Sequence, residues 1–210
     1  MTQNTLIYAL PAFLIGIVLH EWAHAYVAWK MGDSTGKNLG RLSLNPLVHL
    51  DPIGTIMMFV AGIGWANPVP INAQNFRNPR AGLALSAGAG PAMNMLIAAV
   101  AILIVNLMPG AARDPWLAGS GFSWLTLLIT VAQLNALLAV FNLIPVKPLD
   151  GHHFLELLLP PKLFWRYKQN ELIISIVALV LLFAGLFNPL FSVVQRFVYT
   201  MCVTSYWGVS

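Results

Sequence analysis

Long apolar segments separated by short polar connections make up most of the chain. Four of them, residues 6–31, 81–108, 122–145 and 172–187, are predicted to cross a bilayer, which takes about 20 mainly apolar residues in a helix. A fifth, residues 189–206, carries two polar side chains, so it either crosses the bilayer or lies at its interface. The pattern predicts an all-α polytopic membrane protein, a bundle of about five helices.

A shorter apolar segment, residues 53–63, lies between the first two long ones and cannot cross a bilayer. Gly54, Gly62 and Gly64 interrupt this region, which favours a re-entrant loop or a short β-hairpin. No long polar, Pro-rich or Ser-rich stretch divides the chain, so residues 1–210 are expected to form a single membrane-embedded domain.

Composition and charge placement favour a membrane protein and argue against nucleic-acid binding. The chain is 58% hydrophobic and 9% charged, whereas about a quarter of the residues in typical soluble domains are charged. Most basic side chains lie in the connections after the first and third long segments, where they mark the cytoplasmic side rather than form one patch. They are Lys30, Lys37, Arg41, Arg77, Arg80, Lys147, Lys162, Arg166 and Lys168. The N-terminus is therefore expected outside the cell.

The sequence His20-Glu21-Trp22-Ala23-His24, inside the first apolar segment, is the strongest candidate for chemistry. Residues four apart share a helix face, so His20 and His24 can bind one Zn²⁺ while Glu21 takes a proton from water. Burying such groups in hydrocarbon is costly unless they are paired, so polar groups at this depth usually mark function. Two packed histidines and an isolated glutamate are the structural alternative, and the spacing favours the metal site.

A catalytic zinc takes three protein ligands and keeps one position open, so a third ligand must come from elsewhere. Cys202 is the only cysteine in the chain and cannot form a thiol-based site alone. Asp150 is the best candidate, because Pro145 and Pro148 break the helix before it and allow a loop to bend back. An ordinary Asp-Gly turn is the alternative interpretation. The rival ligands are His49, His152 and His153.

Further polar and small residues lie along the second and third segments. Asn142, at the inner end of the third, either holds the oxygen of a tetrahedral intermediate or packs between helices. Gly90 and Asn94 belong with Gly82 and Ser86 to a series at four-residue intervals along the second segment. Such a series predicts close helix packing rather than catalysis.

With these residues, the chain resembles the site-2 protease family of intramembrane zinc metalloproteases, in its compact bacterial form without a PDZ domain. The resemblance rests on three motifs in order: residues 20–24, residues 90–94, and residues 142–151, which match Asn-x-x-Pro-x-x-x-x-Asp-Gly. It covers a catalytic core of about residues 6–151, within which residues 65–72 look like the family's connection between its first two core helices. Residues from about 152 to 207 are expected to form accessory C-terminal helices.

The resemblance implies a role for each candidate residue. It implies that His20, His24 and Asp150 bind one zinc ion, that Glu21 is the general base, and that Asn142 stabilises the transition state. Three further residues are expected to support the site or the substrate: Gly90, Asn94 and Asn67.

The implied activity is cleavage of a transmembrane segment of another membrane protein near the cytoplasmic face. The expected setting is the bacterial inner membrane, with the zinc site toward the cytoplasm, and the expected partners are the substrate, the lipid bilayer and a regulatory membrane protein. An extended part of the substrate is hypothesised to add as a strand to an edge within residues 53–72. The alternatives are a transporter or channel, a non-catalytic scaffold, and a peptidase acting on soluble peptides at the membrane surface.

Overall fold

The computed structural model describes residues 3–61, 64–108 and 122–203, and nearly all of its regular structure is helical. No β-strand occurs within these ranges. Short 3₁₀ turns lie at Pro46–Val48 and Ala73–Asn75. The helices are α1 (Gln3–Met31), α2 (Thr35–Asn38), α3 (Pro52–Ala61), α4 (Pro79–Leu107), α5 (Trp124–Asn142), α6 (His152–Leu158), α7 (Pro161–Gln169), α8 (Glu171–Phe183) and α9 (Asn188–Val203).

Three of the described helices, α1, α4 and α5, are long and apolar enough to cross a membrane. Each packs against the other two, so they form a three-helix core. Polar caps fix where α4 and α5 begin: the side-chain oxygens of Asn78 and Ser123 accept hydrogen bonds from the backbone N–H groups of Ala81 and Thr126. The prediction of an all-α chain with apolar spans is confirmed for three helices of the described residues, whereas the bundle of about five helices is not confirmed. Helix α4 contacts α1 at Ser86 and Gly90.

The fourth predicted span is shorter in the structure than the sequence suggests. Helix α8 has 13 residues and is therefore about 20 Å long, less than the hydrocarbon core of about 30 Å. It ends because Gly185 adopts a φ of +80°, a left-handed conformation that glycine accepts without strain. Helix α9, of 16 residues, packs against α5 and α4; residues 204–206 of the fifth predicted segment lie outside the described part of the chain.

A ten-residue helix, α3, occupies the position for which the glycine pattern predicts a loop or hairpin. The Asp51 carboxylate accepts a hydrogen bond from the N–H of Gly54 at 2.7 Å, and Pro52 is the first helical residue. Both are typical of a helix N-terminus, and they outweigh the turn preference of the glycines. The hairpin prediction is therefore wrong over Pro52–Ala61, and residues 62–63 lie outside the described residues.

Candidate metal centre

Helix α1 carries three of the predicted site residues on its buried side. His20 and His24 lie one turn apart, and their Nε2 atoms are 2.9 Å from each other. Both side chains are buried, as is Glu21 between them in sequence. The helical geometry inferred from the four-residue spacing is thus present, and both imidazoles point to one place.

The connection after α5 brings Asp150 to the same place. The chain leaves α5 at Asn142, and the carbonyl oxygen of Asn142 accepts a hydrogen bond from the N–H of Gly151 at 2.7 Å, closing the connection on itself. Gly151 permits this close return, since a Cβ there would clash with the carbonyl oxygens of Leu143 and Ile144. A carboxylate eight positions beyond the helix end therefore lies beside α1.

Three ligand atoms converge at this point. The Asp150 Oδ2 atom lies 3.1 Å from His20 Nε2 and 3.3 Å from His24 Nε2. Burial alone would raise the pKa of the Asp150 carboxyl, but its contacts with the two histidines outweigh this and hold the pKa below its usual value. Within the described residues, these three form the one group of His, Cys, Asp or Glu side chains arranged to hold a metal ion.

The geometry and the chemistry of these three ligand atoms fit a zinc ion. Asp150 Oδ2 is buried and receives no well-formed hydrogen bond, although two imidazoles lie beside it. An orphaned buried oxygen is rare and calls for a cation or a donor. Gly90 leaves room beneath the group, because a Cβ there would come 2.6 Å from His20 Nε2 and still closer to His24 Nε2. Two imidazoles and one carboxylate are a common zinc ligand set.

The second ring nitrogen of each histidine, Nδ1, also has a hydrogen-bond partner. His24 Nδ1 lies 2.6 Å from the carbonyl oxygen of Ser86, and His20 Nδ1 lies 2.5 Å from the side-chain oxygen of Asn94. Metal-ligating histidines commonly donate their second ring N–H to such acceptors, which fixes the ring and the tautomer. The small-residue series on α4 therefore contacts the site as well as packing against α1.

Glu21 is held by the connection between α3 and α4. Its Oε2 atom accepts a hydrogen bond from the N–H of Val69 at 3.1 Å. The same connection is tied to the rest of the loop by one antiparallel bridge between Leu50 and Ala66 and by a hydrogen bond from Asn67 N–H to the His49 oxygen. The side chain predicted as the base is thus buried and oriented by a backbone donor.

The backbone of residues 67–72 has little capacity to pair with an added strand. The N–H groups of Asn67, Val69 and Asn72 are already bonded within the protein, and Pro68 and Pro70 have none. Residues 52–61 are helical and present no strand edge. Strand addition is therefore ruled out along Pro52–Ala61 and disfavoured at residues 67–70 and 72, and for the rest of residues 53–72 it stays a prediction.

Asp33, which the sequence did not single out, anchors the other end of this connection. It is buried just after α1 and accepts hydrogen bonds from Asn72 N–H at 2.7 Å and from the Asn75 amide at 2.8 Å. Its Oδ1 atom also accepts from the backbone and hydroxyl of Thr35. Because Val69 lies three residues before Asn72, Asp33 helps to fix the segment that holds Glu21.

We expect Asp33→Asn to destabilise the protein by about 1–3 kcal/mol at neutral pH, since buried donors lose an acceptor. Burial alone would raise the pKa of Asp33, but hydrogen bonds from Thr35, Asn75 and Asn72 outweigh it and keep the pKa below its usual value. The unfolded state then binds more protons than the folded state. Asp33 therefore contributes stability above its unfolded pKa of about 3.9, and this contribution is lost as the pH falls further.

Thermal unfolding in detergent between about pH 3 and 7 measures this contribution. The difference between wild type and Asp33→Asn should shrink as the pH falls below about 4, where Asp33 takes up a proton in the unfolded state before it does so in the folded state. Asp51→Asn makes the same chemical change in a helix cap, where Asn is equally effective, and should have little effect. A pH-independent difference for Asp33→Asn would contradict the prediction.

The remaining predicted residues lie at different distances from the ligand group. The Asn142 amide donates to the carbonyl oxygen of Leu138 at 3.0 Å, within its own helix, and no hydrogen bond among the described residues joins it to the three ligands. Asn67 contacts the His49 loop through its backbone. The arrangement thus leaves the proposed roles of both Asn142 and Asn67 as predictions.

The rival histidines are held elsewhere. His49 is fully buried, with its Nε2 atom 2.7 Å from the Ser43 oxygen. His152 Nδ1 lies 2.7 Å from the Leu149 oxygen, and burial lowers its pKa. Burial and the neighbouring His152 lower the pKa of His153 to about 4. None of the three belongs to the group formed by the two α1 histidines and Asp150 within the described structure.

Comparison with known proteins agrees with this geometry. The model of peptidase family M50 matches residues 111–185, a range that contains Asn142 and Asp150. A Bacillus subtilis protein named "Putative zinc metalloprotease YwhC" is 42% identical over 175 residues, which are 83% of this chain and 79% of that protein. The chain belongs to peptidase family M50, the site-2 protease family.

More distant members of the M50 family extend the match. "Putative zinc metalloprotease Rip2" of Mycolicibacterium smegmatis is 30% identical over 161 residues, covering 74% of this chain and 59% of Rip2. "Zinc metalloprotease MJ0392" of Methanocaldococcus jannaschii is 28% identical over 204 residues, covering 94% of this chain and 49% of that protein. No solved structure gives a significant match. As an M50 member in which three of the described helices are long and apolar enough to cross a membrane, the protein is a membrane metalloprotease for which zinc is the implied metal.

Proposed function

We propose that this protein is an intramembrane zinc endopeptidase that hydrolyses a peptide bond within or near a transmembrane segment of a membrane-protein substrate. One observation carries the proposal: two imidazoles and a carboxylate converge within 3.3 Å, with Glu21 beside them, inside a core of three apolar helices. Polar groups buried among membrane helices cost free energy unless they are paired, so those found at such depth usually serve a function.

His20, His24 and Asp150 would hold the zinc ion in this proposal, with Gly90 leaving the space for it. Zinc held there supplies a Lewis acid, which polarises a carbonyl group and makes water acidic near neutral pH. Three protein ligands leave a fourth position open, as a hydrolytic site requires. The carboxylate contributes one negative charge, which offsets part of the charge of the cation.

Glu21 takes the proton of the attacking water and passes it to the leaving amine. Val69 N–H fixes its Oε2 atom, and no hydrogen bond among the described residues occupies Oε1, so Oε1 is the atom available for the proton. A general base that is already held in its reactive orientation avoids the entropic cost of adopting that orientation during the reaction.

Asn142 donates to the oxygen that gains charge in the transition state. Its amide has two N–H groups, and the Leu138 oxygen takes one of them. The second is free to reach a substrate bound between the end of α5 and the ligand group. An uncharged donor placed there stabilises developing negative charge without competing for the metal.

The orientation follows from charge at the end of α1. The ammonium groups of Lys30 and Lys37 lie 4.5 Å and 4.2 Å from the Trp29 ring, an aromatic and basic cluster suited to a membrane interface. We propose that this interface faces the cytoplasm of a bacterial inner membrane. The ligand group, one to three turns before Trp29, then lies in the cytoplasmic half and is reached by water from that side.

Cleavage of matched substrates tests the proposal. The zinc-loaded protein in liposomes is expected to cut single-pass segments within or beside the span, as located by mass spectrometry of the products. Segments with a helix-breaking Gly-Pro pair in the span should be cut faster than Leu-rich ones, because their carbonyls leave the helix more easily. Equal kcat/KM for a soluble peptide of the same sequence would overturn the intramembrane assignment while leaving a peptidase.

A further inference from the structure

A line of buried polar side chains connects the first zinc-ligand candidate to α5. His20 Nδ1 lies 2.5 Å from Asn94 Oδ1, and Asn94 Nδ2 lies 2.8 Å from Asn135 Oδ1. Asn94 and Asn135 are both 0% exposed, in the middle of apolar helices. An amide buried at such depth needs a reason, since its transfer from water is unfavourable unless its hydrogen bonds are satisfied.

Backbone carbonyls determine which way the Asn135 amide points. Its Nδ2 atom lies 2.9 Å from the Val131 oxygen and 3.5 Å from the Ala12 oxygen. A carbonyl oxygen only accepts hydrogen bonds, so the amide nitrogen must face these two atoms. The Asn135 oxygen is then left facing Asn94, where it can only accept.

The same reasoning extends to the histidine. Asn94 must donate to Asn135, and its Nδ2 atom also lies 3.2 Å from the Gly16 oxygen, another group that only accepts. The Asn94 oxygen therefore faces His20 Nδ1, which must carry a proton. His20 Nε2 is consequently the nitrogen with the free lone pair, and this is the atom directed at Asp150.

We propose that Asn135 is a positioning residue for the metal site, which acts through Asn94 to keep the His20 ring in its ligand-competent tautomer. This inference rests on the proposed metal site. His24 does not depend on the relay, because its Nδ1 atom faces the Ser86 carbonyl oxygen directly. The two histidines therefore reach the same tautomer by separate routes, one through two amides and one through a backbone carbonyl.

The packing around Asn135 leaves space for its contact with Asn94. A Cβ at Gly16 would come 2.5 Å from the Asn135 oxygen, so glycine at this position of α1 leaves space for the amide between the helices. Gly16 lies one turn before His20 on α1. The relay thus joins α1, α4 and α5 at the level just above the ligand group.

Histidine ¹⁵N NMR spectra and zinc affinity, measured by competition with a chelator in detergent, test the relay. In metal-free wild type, His20 should carry its proton on Nδ1. Asn135→Leu should produce a mixture of His20 tautomers and weaken zinc binding by about threefold or more, and Asn94→Leu by about 10–100-fold. The His24 signals should not change in Asn135→Leu, which makes His24 an internal control.

Thr130→Val removes a hydroxyl group from the same helix. Among the described residues this hydroxyl bonds to the carbonyl oxygen of Thr126, so the substitution should leave zinc affinity unchanged. If Asn135→Leu does not fold, Gly16→Ala displaces the Asn135 oxygen without removing any polar group and should have the same effect. Unchanged His20 tautomer and zinc affinity in the folded variant would overturn the proposal. A wild type that binds no zinc would instead overturn the metal site, and the NMR spectra would still test the relay.

Discussion

Glu21→Gln is expected to reduce kcat for peptide-bond cleavage by about 10²–10⁴-fold while the protein keeps its zinc, because the amide cannot accept the water proton. Gln is nearly the same size as Glu and retains an oxygen that can accept the hydrogen bond from Val69 N–H. The substitution therefore removes the base without removing the contact that orients the side chain.

Glu156→Gln is the matched control, since it makes the same change on α6 at a residue that does not belong to the ligand group. Zinc content by elemental mass spectrometry and kcat and KM for one transmembrane substrate are measured for both variants. Wild-type kcat in Glu21→Gln would exclude Glu21 as the base, and loss of zinc from Glu21→Gln would show that it supports the metal instead. A loss confined to KM would point to substrate binding.

The sequence predicted the α1 part of the site because the relevant information is local. His20 and His24 are four residues apart, and helical periodicity alone places them on one face. The position of Asp150 depends on how the loop after α5 bends, which residue spacing does not reveal. The histidines at 49, 152 and 153 therefore remained alternative ligands in the sequence analysis. The fold selects Asp150 as the side chain beside both imidazoles.

The residues that the sequence missed act through distant contacts. Asn135 is a polar residue in the middle of an apolar segment, a signal that was available but does not reveal a partner on α4. Asp33 gave no local signal of this role, since Asn72 and Asn75, the partners through which it holds the connection, lie about 40 positions further along the chain. The length of α8 was overestimated for a different reason: hydropathy measures apolar length, whereas the turn at Gly185 depends on backbone conformation.

Gly90→Ala is expected to weaken zinc binding by about 100-fold, the upper end of the range for residues that orient metal ligands, and Asp150→Ala, which loses a ligand, by at least as much. The added methyl group would occupy the space beneath the ligand group, where it would clash with Nε2 of His24 and lie 2.6 Å from Nε2 of His20. The two imidazoles would have to move apart, and their lone pairs would no longer converge with the carboxylate.

Gly88→Ala separates this effect from a general effect of alanine in α4. A Cβ at Gly88 would meet only the far edge of the Phe154 ring, at 3.1 Å, which a small shift of that ring relieves. In a helix interior, Ala is favoured over Gly by about 0.5–1 kcal/mol, so neither variant is expected to unfold α4. Gly90→Ala should therefore be a folded protein that lacks zinc, whereas Gly88→Ala should be folded and bind zinc normally.

Thermal unfolding of the metal-free proteins and zinc affinity by chelator competition measure the two quantities separately. Wild-type zinc affinity in Gly90→Ala would show that the ligand group does not use the space above Gly90, and the ligand assignment would have to change. We expect Gly90→Ala to fold like wild type and to lose zinc, and the added methyl group alone would account for both results. In that case the small residue on α4 serves the metal centre as well as the close packing of α4 against α1.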